Sequence, residues 1–396
     1  MASPGTLRVA VVGGSLGGLT AALVLRDAGY SVDIYERSPG AMHDFGAGII
    51  VHEMLAKYFV ERSPITLDQL SIPSNVLQYL DGDGSIRHQR DTDYRFTAWY
   101  ALYRGLLACF GEERYHRGEA LVGLDQDANE VELRFASGRI EHCDLAVCAD
   151  GVTSTARERL LGITPQYSGY IGWRGIVGAE EVSPETWELF EEAFTYQLLE
   201  DGHVVAYPIP TLGEGVRITG RRVNYTWYWN VPEGPELDEI MSDRAGLRRP
   251  VSCHAEAVQQ RYVDQMRELA AEQLAPPLAE LIIAAREPFI TAIVDAEVPR
   301  LVFGRICLTG DAGIAGRPHA GAGAAKAAAN AWALAEAIES SNGDVVEGLK
   351  RWEPPMLDLG RALLERTRDL GRRLQFGGPW TPEDPNLRFG LYGPGK

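Results

Sequence analysis

The segment from residue 8 to residue 36 constrains the fold more than any other part of the chain. Residues 8–12 (RVAVV) form an apolar, β-branched run typical of a buried strand, and a glycine-rich turn (GGSLGG) follows directly. Apolar residues at helical spacing come next, and a second apolar strand over 32–35 ends at Glu36. This order of strand, glycine turn, helix, strand and acid predicts a βαβ unit that binds a dinucleotide.

The residues of this turn have separate physical tasks in such a site. Gly13 permits the tight turn, and Gly18 permits helix and strand to approach closely. The helix N-terminus offers amides and the positive end of its dipole to a pyrophosphate, while Glu36 is placed to accept hydrogen bonds from ribose hydroxyls. Ser15 replaces the central glycine of the usual G-x-G-x-x-G pattern but is still small. An ordinary βαβ turn without a ligand is the alternative.

Composition narrows the classes of partner. With 396 residues, 45% of them hydrophobic, the chain is long enough for two domains and a large core. A net charge of −17 argues against nucleic acid and anionic membranes. No stretch approaches the roughly 18 apolar residues of a membrane span. Five scattered cysteines without a C-x-x-C pair predict reduced thiols in a cytoplasmic protein, and no metal-ligand cluster is evident.

Two further apolar strands end in an acid and a glycine. Residues 145–148 lead into 149–157 (ADGVTSTAR), and residues 305–308 lead into 310–323 (GDAGIAGRPHAGAG), which precedes an alanine-rich helix. A single Asp-Gly after a strand is more often a simple turn, but both sequences are longer than a turn requires. Ligands of open α/β sheets bind at such strand ends. The three strand ends together therefore predict one composite ligand site.

The three motifs, in this order, resemble the fingerprints of the group A flavoprotein monooxygenases, which share the para-hydroxybenzoate hydroxylase fold. Their patterns are G-x-G-x-x-G, A-D-G-x-x-S-x-x-R, and G-D-A followed by P and G-x-G, and the resemblance covers nearly the whole chain. It implies an α/β fold in which a Rossmann-like FAD-binding domain carries an inserted, mostly β substrate domain and C-terminal helices. The implied boundaries are 1–75, 100–165 and 300–340 for the FAD-binding domain, 76–99 and 166–299 for the substrate domain, and 341–396 for the C-terminal helices and tail.

The resemblance implies FAD as the cofactor. A helix start at 323–325 fits, because reduced flavin carries negative charge near N1 and a helix N-terminus stabilises an anion. The resemblance places Arg104 at the flavin, and the alternative is an arginine that points from its helix into solvent. Carried over by position, the implied contacts are Gly13, Ser15, Leu16 and Gly17 in the glycine turn, Glu36 at the ribose, Arg37 beside the adenosine, Gly48 and Ile49 near the ribityl chain or ring, Arg104 at the flavin, Val122 near the adenine, Asp150 near the pyrophosphate, Asp311 at the ribityl chain, and Gly323, Ala324 and Ala325 at the flavin O2 edge.

The resemblance also implies the reaction. NADH or NADPH reduces FAD, and a flavin C4a-hydroperoxide formed with O₂ hydroxylates an electron-rich aromatic or N-heteroaromatic ring. Residues 172–175 (GWRG), 227–231 (WYWNV) and 317–320 (RPHA) are similar to members acting on dihydroxypyridines. No second Rossmann unit for the nicotinamide is visible, in keeping with the family. The sequence does not distinguish NADH from NADPH.

Candidate catalytic residues follow from the need to deprotonate a phenol-like ring. The family usually has a histidine directly after G-D-A-A, which this chain lacks. His319, in the loop expected to face the flavin, is the leading candidate base, and a histidine that only caps the loop is the alternative. Tyr196, Tyr207 and Tyr225 are candidates to hydrogen-bond a ring hydroxyl, with packed aromatic side chains as the alternative.

Other functions stay open at this point. A family member could oxidise or epoxidise a natural product, and a flavin oxidase makes no hydroperoxide. A non-catalytic FAD-binding redox sensor is a third class. The expected partners are a small aromatic or N-heterocyclic substrate and O₂, without nucleic acid or membrane, and a homodimer is expected.

Overall fold

A computed structural model describes residues 7–40, 48–213, 217–378, 381–382 and 384–396. Within them the chain forms strands that assemble into three sheets. The strands are β1 (Arg8–Val12), β2 (Ser31–Glu36), β3 (Gly48–Ile50), β4 (Ile72–Leu80), β5 (Ile86–Ala98), β6 (Tyr115–Arg117), β7 (Leu121–Gln126), β8 (Val131–Phe135), β9 (Ile140–Cys143), β10 (Leu145–Cys148), β11 (Gln166–Gly178), β12 (Ala193–Leu199), β13 (Gly202–Leu212), β14 (Ile218–Asn230), β15 (Ser252–Cys253), β16 (Phe289–Asp295), β17 (Val302–Phe303) and β18 (Ile306–Leu308).

The helices pack mainly on two of these sheets. The first helix follows the glycine turn directly, as the sequence predicts. The α-helices are α1 (Leu16–Asp27), α2 (Glu53–Glu61), α3 (Trp99–Phe110), α4 (Thr155–Leu161), α5 (Pro184–Phe190), α6 (Pro235–Ile240), α7 (Gln260–Gln273), α8 (Pro276–Ala284), α9 (Gly323–Ser340) and α10 (Val345–Gln375).

A six-stranded sheet holds the predicted nucleotide-binding unit. Its order is β17-β18-β10-β1-β2-β6, and every pair except β17–β18 is parallel. Its central strands are almost wholly apolar because parallel sheets are covered on both faces. Helices α1, α3 and α9 contribute to the same core. The expected Rossmann-like α/β architecture is therefore confirmed.

A nine-stranded sheet, in the order β15-β16-β11-β14-β13-β12-β4-β5-β3, forms the second layer. One face packs against α5, α7 and α8, and the other carries a cluster of aromatic residues. Its strands come from 48–50, 72–98 and 166–295, so the chain enters this sheet from separate segments. A separate meander of β7, β8 and β9 completes the sheets. The exact domain boundaries stay a prediction.

Helix α10 corrects one expectation. The consecutive prolines Pro354 and Pro355 predict a break, because proline removes a helical hydrogen bond. The helix instead runs continuously from Val345 to Gln375 with both prolines inside. Trp352 before the prolines and Leu363 after them are both buried in the same core. Packing on both sides therefore outweighs the local cost of the prolines.

Candidate active site

The three motifs meet at one edge of the six-stranded sheet. The register pairs Val12 with Cys148, and Cys148 with Leu308. Because these strands are parallel, the glycine turn, residues 149–157 and residues 310–323 all leave the sheet at its carboxyl edge. This is the edge at which open α/β sheets bind ligands.

The glycine turn packs so closely against neighbouring backbone that two of its positions admit no side chain. Gly13 has a φ of +99°, and a Cβ there would lie 2.4 Å from the Ala149 carbonyl oxygen. A Cβ on Gly18 would lie 1.8 Å from the Gly13 carbonyl oxygen. Ser15 is the N-cap residue of α1 but makes no side-chain hydrogen bond to the first turn. The helix start is therefore open to an anion, as a pyrophosphate requires.

Glu36 closes the turn from the neighbouring strand. Its buried carboxylate accepts hydrogen bonds from the amides of Gly14, at 2.7 Å, and Ser38, at 2.8 Å. A carboxylate has about four lone-pair sites, so acceptor capacity remains for ribose hydroxyls. The exposed Arg37 donates a hydrogen bond to Thr153 Oγ1 at 3.2 Å and links this strand end to the next motif.

Asp150 stabilises the second loop. Its carboxylate accepts hydrogen bonds from Ser154 Oγ at 2.5 Å and from the Ala156 amide at 3.1 Å. Ser154 in turn caps α4. Burial raises the pKa of Asp150, and these hydrogen bonds oppose the rise. The side chain therefore fixes the loop that the resemblance places near the pyrophosphate.

Arg157 connects the second loop to the third. It is fully buried, and its guanidinium donates to the carbonyl oxygens of Asp311 at 3.0 Å, Ile163 at 3.1 Å and Val152. The long A-D-G-x-x-S-x-x-R pattern thus has a structural reason, since the arginine joins two strand ends that lie far apart in sequence.

The third loop presents Asp311 and the start of α9. The Asp311 carboxylate is half exposed and lies 3.5 Å from the buried Lys326 Nζ, which also donates to the carbonyls of Gly310 and Ile314. Burial lowers the pKa of Lys326. The first turn of α9 has no side-chain cap, and the space beside Gly323 is open. Two uncapped helix starts, Glu36 and Asp311 together fit the polar groups of FAD.

A cavity of about 370 Å³, here called the ring cavity, lies between these loops and the aromatic face of the nine-stranded sheet. This volume is within the range of small-molecule sites. Gly48 and Ile49 of β3 line it, as do Asp311, Gly323 and Ala324. The remaining wall comes from β11 to β14 and β16, the turn at 315–321, and Phe389. Predicted flavin contacts and candidate catalytic residues thus share one space.

Two buried histidines, His319 and His203, line the ring cavity with their ring centroids 5.4 Å apart. His319 Nε2 lies 2.7 Å from the Tyr170 hydroxyl, and His203 Nδ1 lies 2.7 Å from Gln375 Oε1. Burial lowers the pKa of His203 to about 4 and that of His319 well below its ordinary value. Both imidazoles are therefore neutral near pH 7, and each is held by one hydrogen bond.

The predicted tyrosines divide between the two faces of the sheet. Tyr207 lines the ring cavity, but its hydroxyl donates to the Gly48 carbonyl at 2.8 Å and so positions β3. Tyr196 also lines the cavity and stacks on Tyr79. Tyr225 is a correction, because alternation along β14 turns it to the opposite face, into the core against α7 and α8. Tyr228 faces the ring cavity from that strand.

Ten of the fifteen predicted FAD contacts lie outside the ring cavity, and six of them belong to the first two loops described above. The other four are Arg104, Val122, Leu16 and Ala325. Arg104 donates to the Gly213 carbonyl at 3.3 Å, and Val122 is an exposed residue of β7. Leu16 and Ala325 are buried in the first turns of α1 and α9. None of these positions brings a side chain to the ring itself.

Sequence reasoning missed His203, Arg174 and Phe389 as cavity residues. Alternation was the available signal for the first, because His203 lies two and four residues before Val205 and Tyr207 on the same face of β13. Phe389 had no such signal, since it lies in a proline- and glycine-rich segment interpreted as an extended tail. For Arg174 the sequence suggests a brace between domains or a structural ion-pair partner rather than a cavity residue.

Comparison with known proteins identifies the family of this chain. Family models described as "NAD(P)-binding Rossmann-like domain" and "FAD binding domain-like" match residues 11–64 and 167–295. The 2,6-dihydroxypyridine 3-monooxygenase of Paenarthrobacter nicotinovorans is 44% identical over 98% of this chain and 97% of its own length. This chain belongs to the FAD-dependent aromatic-ring monooxygenases. It is an FAD-dependent monooxygenase, as the sequence predicts, and its cofactors are FAD and NAD(P)H.

Solved structures agree with the fold of this monooxygenase. The structure of 2,6-dihydroxypyridine-3-hydroxylase from Arthrobacter nicotinovorans superposes with a TM-score of 0.93, 43% identity and 98% coverage of both chains. Klebsiella pneumoniae HpxO complexed with FAD and uric acid shares the fold, with a TM-score of 0.73 and 23% identity over 96% of this chain and 90% of its own. In the part of the chain that the structure describes, no helix has the length and apolar character to cross a bilayer.

The neutral histidines of this monooxygenase predict a pH-dependent stability. Unfolded histidine takes up a proton near pH 6.5, whereas folded His203 does so only near pH 4. The free energy of unfolding is therefore expected to fall as pH is lowered from 6.5 towards 4. Chemical denaturation between pH 4 and 8 measures this slope. In His203→Asn, whose amide can still donate to Gln375, the slope should be shallower; an unchanged slope would contradict a neutral, buried His203.

Proposed function

We propose that this monooxygenase hydroxylates an electron-rich N-heteroaromatic ring of the dihydroxypyridine type. The supporting observation is the pair of neutral histidines in the ring cavity, whose wall is partly aromatic and which five of the predicted flavin contacts also line. Neutral imidazoles can accept or donate hydrogen bonds to ring hydroxyls and ring nitrogens. The 44% identical relative is named for 2,6-dihydroxypyridine, and a 26% identical one from Bordetella bronchiseptica, covering 85% of this chain and 84% of its own length, is named for 6-hydroxynicotinate.

The residues that would hold FAD follow the three loops. The start of α1 would bind the pyrophosphate, and the start of α9 the pyrimidine edge of the flavin. The chemistry supplied by bound FAD is reduction by NAD(P)H followed by activation of O₂. The proposed contacts are Gly13, Ser15, Leu16, Gly17, Glu36, Arg37, Gly48, Ile49, Arg104, Val122, Asp150, Asp311, Gly323, Ala324 and Ala325.

His319 would act as the base for the ring. If His319 Nε2–H donates to the Tyr170 hydroxyl, Nδ1 keeps a lone pair and can take a proton from a ring hydroxyl. His203 Nδ1–H donates to the Gln375 oxygen, so its Nε2 is likewise an acceptor. Tyr196 and Tyr228 would pack against the ring from the sheet.

Oxidation of NADH and NADPH, with and without 2,6-dihydroxypyridine, tests the proposal together with a flavin spectrum. We expect a yellow protein whose oxidation rate rises with the pyridine and whose product gains one oxygen atom. A yellow protein that ignores the pyridine would overturn this substrate, and a panel of phenols and N-heterocycles would follow. NAD(P)H oxidation that yields only peroxide with every ring would instead favour an oxidase or a redox sensor.

The base assignment predicts a large effect at His319. His319→Asn should lower the rate of ring hydroxylation by about 10²- to 10⁴-fold, the usual contribution of general acid–base catalysis, while FAD stays bound. Product formation per NAD(P)H consumed is the measurement. His142→Asn, at a half-exposed histidine far from these loops in the sheet of β7 to β9, is the matched control. Unchanged turnover and coupling in His319→Asn would exclude the base role.

Three finer expectations stay predictions. The FAD-binding and substrate domains are proposed with the boundaries given above, and a homodimer and a cytoplasmic location are expected from the sequence. Size-exclusion chromatography with light scattering measures the oligomeric state and so tests the homodimer.

A further inference from the structure

Arg174 is a cation without a partner on the wall of the ring cavity. It lies on β11, opposite Thr226 of β14, and both side chains line the cavity. Within the ranges that the structure describes, Arg174 makes no hydrogen bond or ion pair, and its Nε atom is buried without an acceptor. Two nearby arginines differ, since Arg157 donates to four carbonyl oxygens and Arg317 pairs with Asp295 at 3.1 Å.

The cavity around Arg174 offers it no neutralising charge. Asp311 is the sole carboxylate among the described lining residues, and it lies beside the Lys326 ammonium. Arg174, Tyr207 and Tyr228 all line the cavity. Burial raises the pKa of both tyrosines, and the Arg174 charge opposes that rise. The remaining titratable or charged lining residues are Tyr196, His203, His319, Asp311 and Arg317.

Arg174 is half-buried, and its unpaired guanidinium attracts a ligand of opposite charge more strongly in this cavity than it would in bulk water. A guanidinium lowers the pKa of a ring hydroxyl that it contacts, because it stabilises the oxyanion. Loss of that proton raises the electron density of the ring and makes it a better nucleophile. The two neutral histidines supply hydrogen bonds but no charge, so the arginine stabilises the hydroxyl that has already ionised. The base role of His319 then applies to a second hydroxyl of the ring that is still protonated.

We propose that Arg174 binds the ring substrate as its monoanion and is the counter-ion of the ring oxyanion. This inference rests on the proposed function. It specifies the substrate class further, as a hydroxylated N-heterocycle or phenol that ionises, and it makes Arg174 a determinant of specificity for the charged form.

Equilibrium binding tests the proposal without turnover. 2,6-Dihydroxypyridine is titrated into the FAD-loaded protein, anaerobically and without NAD(P)H, and the change in flavin absorbance gives Kd from pH 6 to 9. Burial keeps the cavity histidines neutral and the cavity tyrosines protonated in this range, so the ring is the group that titrates. As pH rises towards the ring pKa, we expect Kd to fall by up to tenfold per pH unit. Above the ring pKa, we expect Kd to stay constant.

Substitutions at Arg174 then separate the outcomes. Arg174→Met should raise Kd by about 10- to 100-fold above the ring pKa and abolish its pH dependence, as loss of a charge-assisted hydrogen bond predicts. Arg174→Lys keeps the charge and should retain part of both effects. Non-ionising 2,6-dimethoxypyridine should bind wild type and Arg174→Met equally. Arg372→Met, at an exposed arginine paired with Asp369, is the control.

Two results would overturn the inference in different ways. Tight binding with an unchanged pH profile in Arg174→Met would overturn the counter-ion role while leaving the proposed function intact. A changed flavin spectrum or reduction potential in substrate-free Arg174→Met, with ring binding unaltered, would assign the arginine to the flavin instead. Failure of wild type to bind any hydroxylated ring of a phenol and pyridine panel would overturn the proposed function and the inference together.

Discussion

Gly18→Ala is expected to abolish FAD binding and to destabilise the fold strongly. A Cβ at this position would lie 1.8 Å from the Gly13 carbonyl oxygen and 3.3 Å from Val11 Cγ1. The closest atom belongs to the backbone of the glycine turn, so no side-chain rotation relieves the contact. Overpacking costs about 1–3 kcal/mol even where a core can adjust, and here the turn that receives the pyrophosphate must itself move.

The measurement for Gly18→Ala is the FAD content of purified protein, read as the ratio of flavin to protein absorbance, together with the thermal midpoint. Gly40→Ala is the matched control, because its Cβ would meet no atom of the described residues within 4 Å. The control should keep wild-type FAD content. Full FAD content and an unchanged midpoint in Gly18→Ala would contradict the close approach that the structure shows.

Arg157→Met is expected to separate two of the three cofactor loops. The substitution removes the donor from the buried carbonyl of Ala312 and from the partly buried carbonyls of Asp311, Ile163 and Val152. A buried acceptor left unsatisfied costs about 1–3 kcal/mol, and the three partly buried ones add to this. We expect a loss of about 3 kcal/mol or more in the free energy of unfolding and a large fall in FAD affinity.

Denaturant unfolding and FAD titration of the apoprotein measure the two effects of Arg157→Met. Arg159→Met lies on the same helix, α4, but at an exposed position, and should change neither quantity. If Arg157→Met bound FAD as tightly as Arg159→Met does, the arginine would not be the link between the loops.

Most of the structure of the cofactor loops could be predicted from the sequence. Each motif combined a buried strand with a glycine that the backbone requires, and such local signals do not depend on distant contacts. The parallel order of β1, β10 and β18 then brings the three loops together, as expected for this topology. The identity of the family could be inferred because all three motifs occur in the right order.

The wall that the nine-stranded sheet contributes to the ring cavity was harder to predict than the cofactor loops, for physical reasons. Whether Tyr225 or Tyr228 faces the ring depends on the register of β14, which is set by its neighbours in a nine-stranded sheet rather than by its own residues. The charged residues of 81–93 predict a turn between two strand segments, yet much of this stretch belongs to β5, where side chains alternate between solvent and sheet. Long-range pairing decided both outcomes.

The nine-stranded sheet also has an evolutionary consequence. Its β4 and β12 lie side by side as a parallel pair, although they come from segments more than one hundred residues apart, with the nucleotide loop at 149–157 between them in sequence. No single stretch of gene encodes this sheet, so recombination cannot exchange it as a cassette. New ring preferences in this lineage are therefore expected to arise by point substitution at inward-facing strand positions, while the scaffold around them is inherited whole.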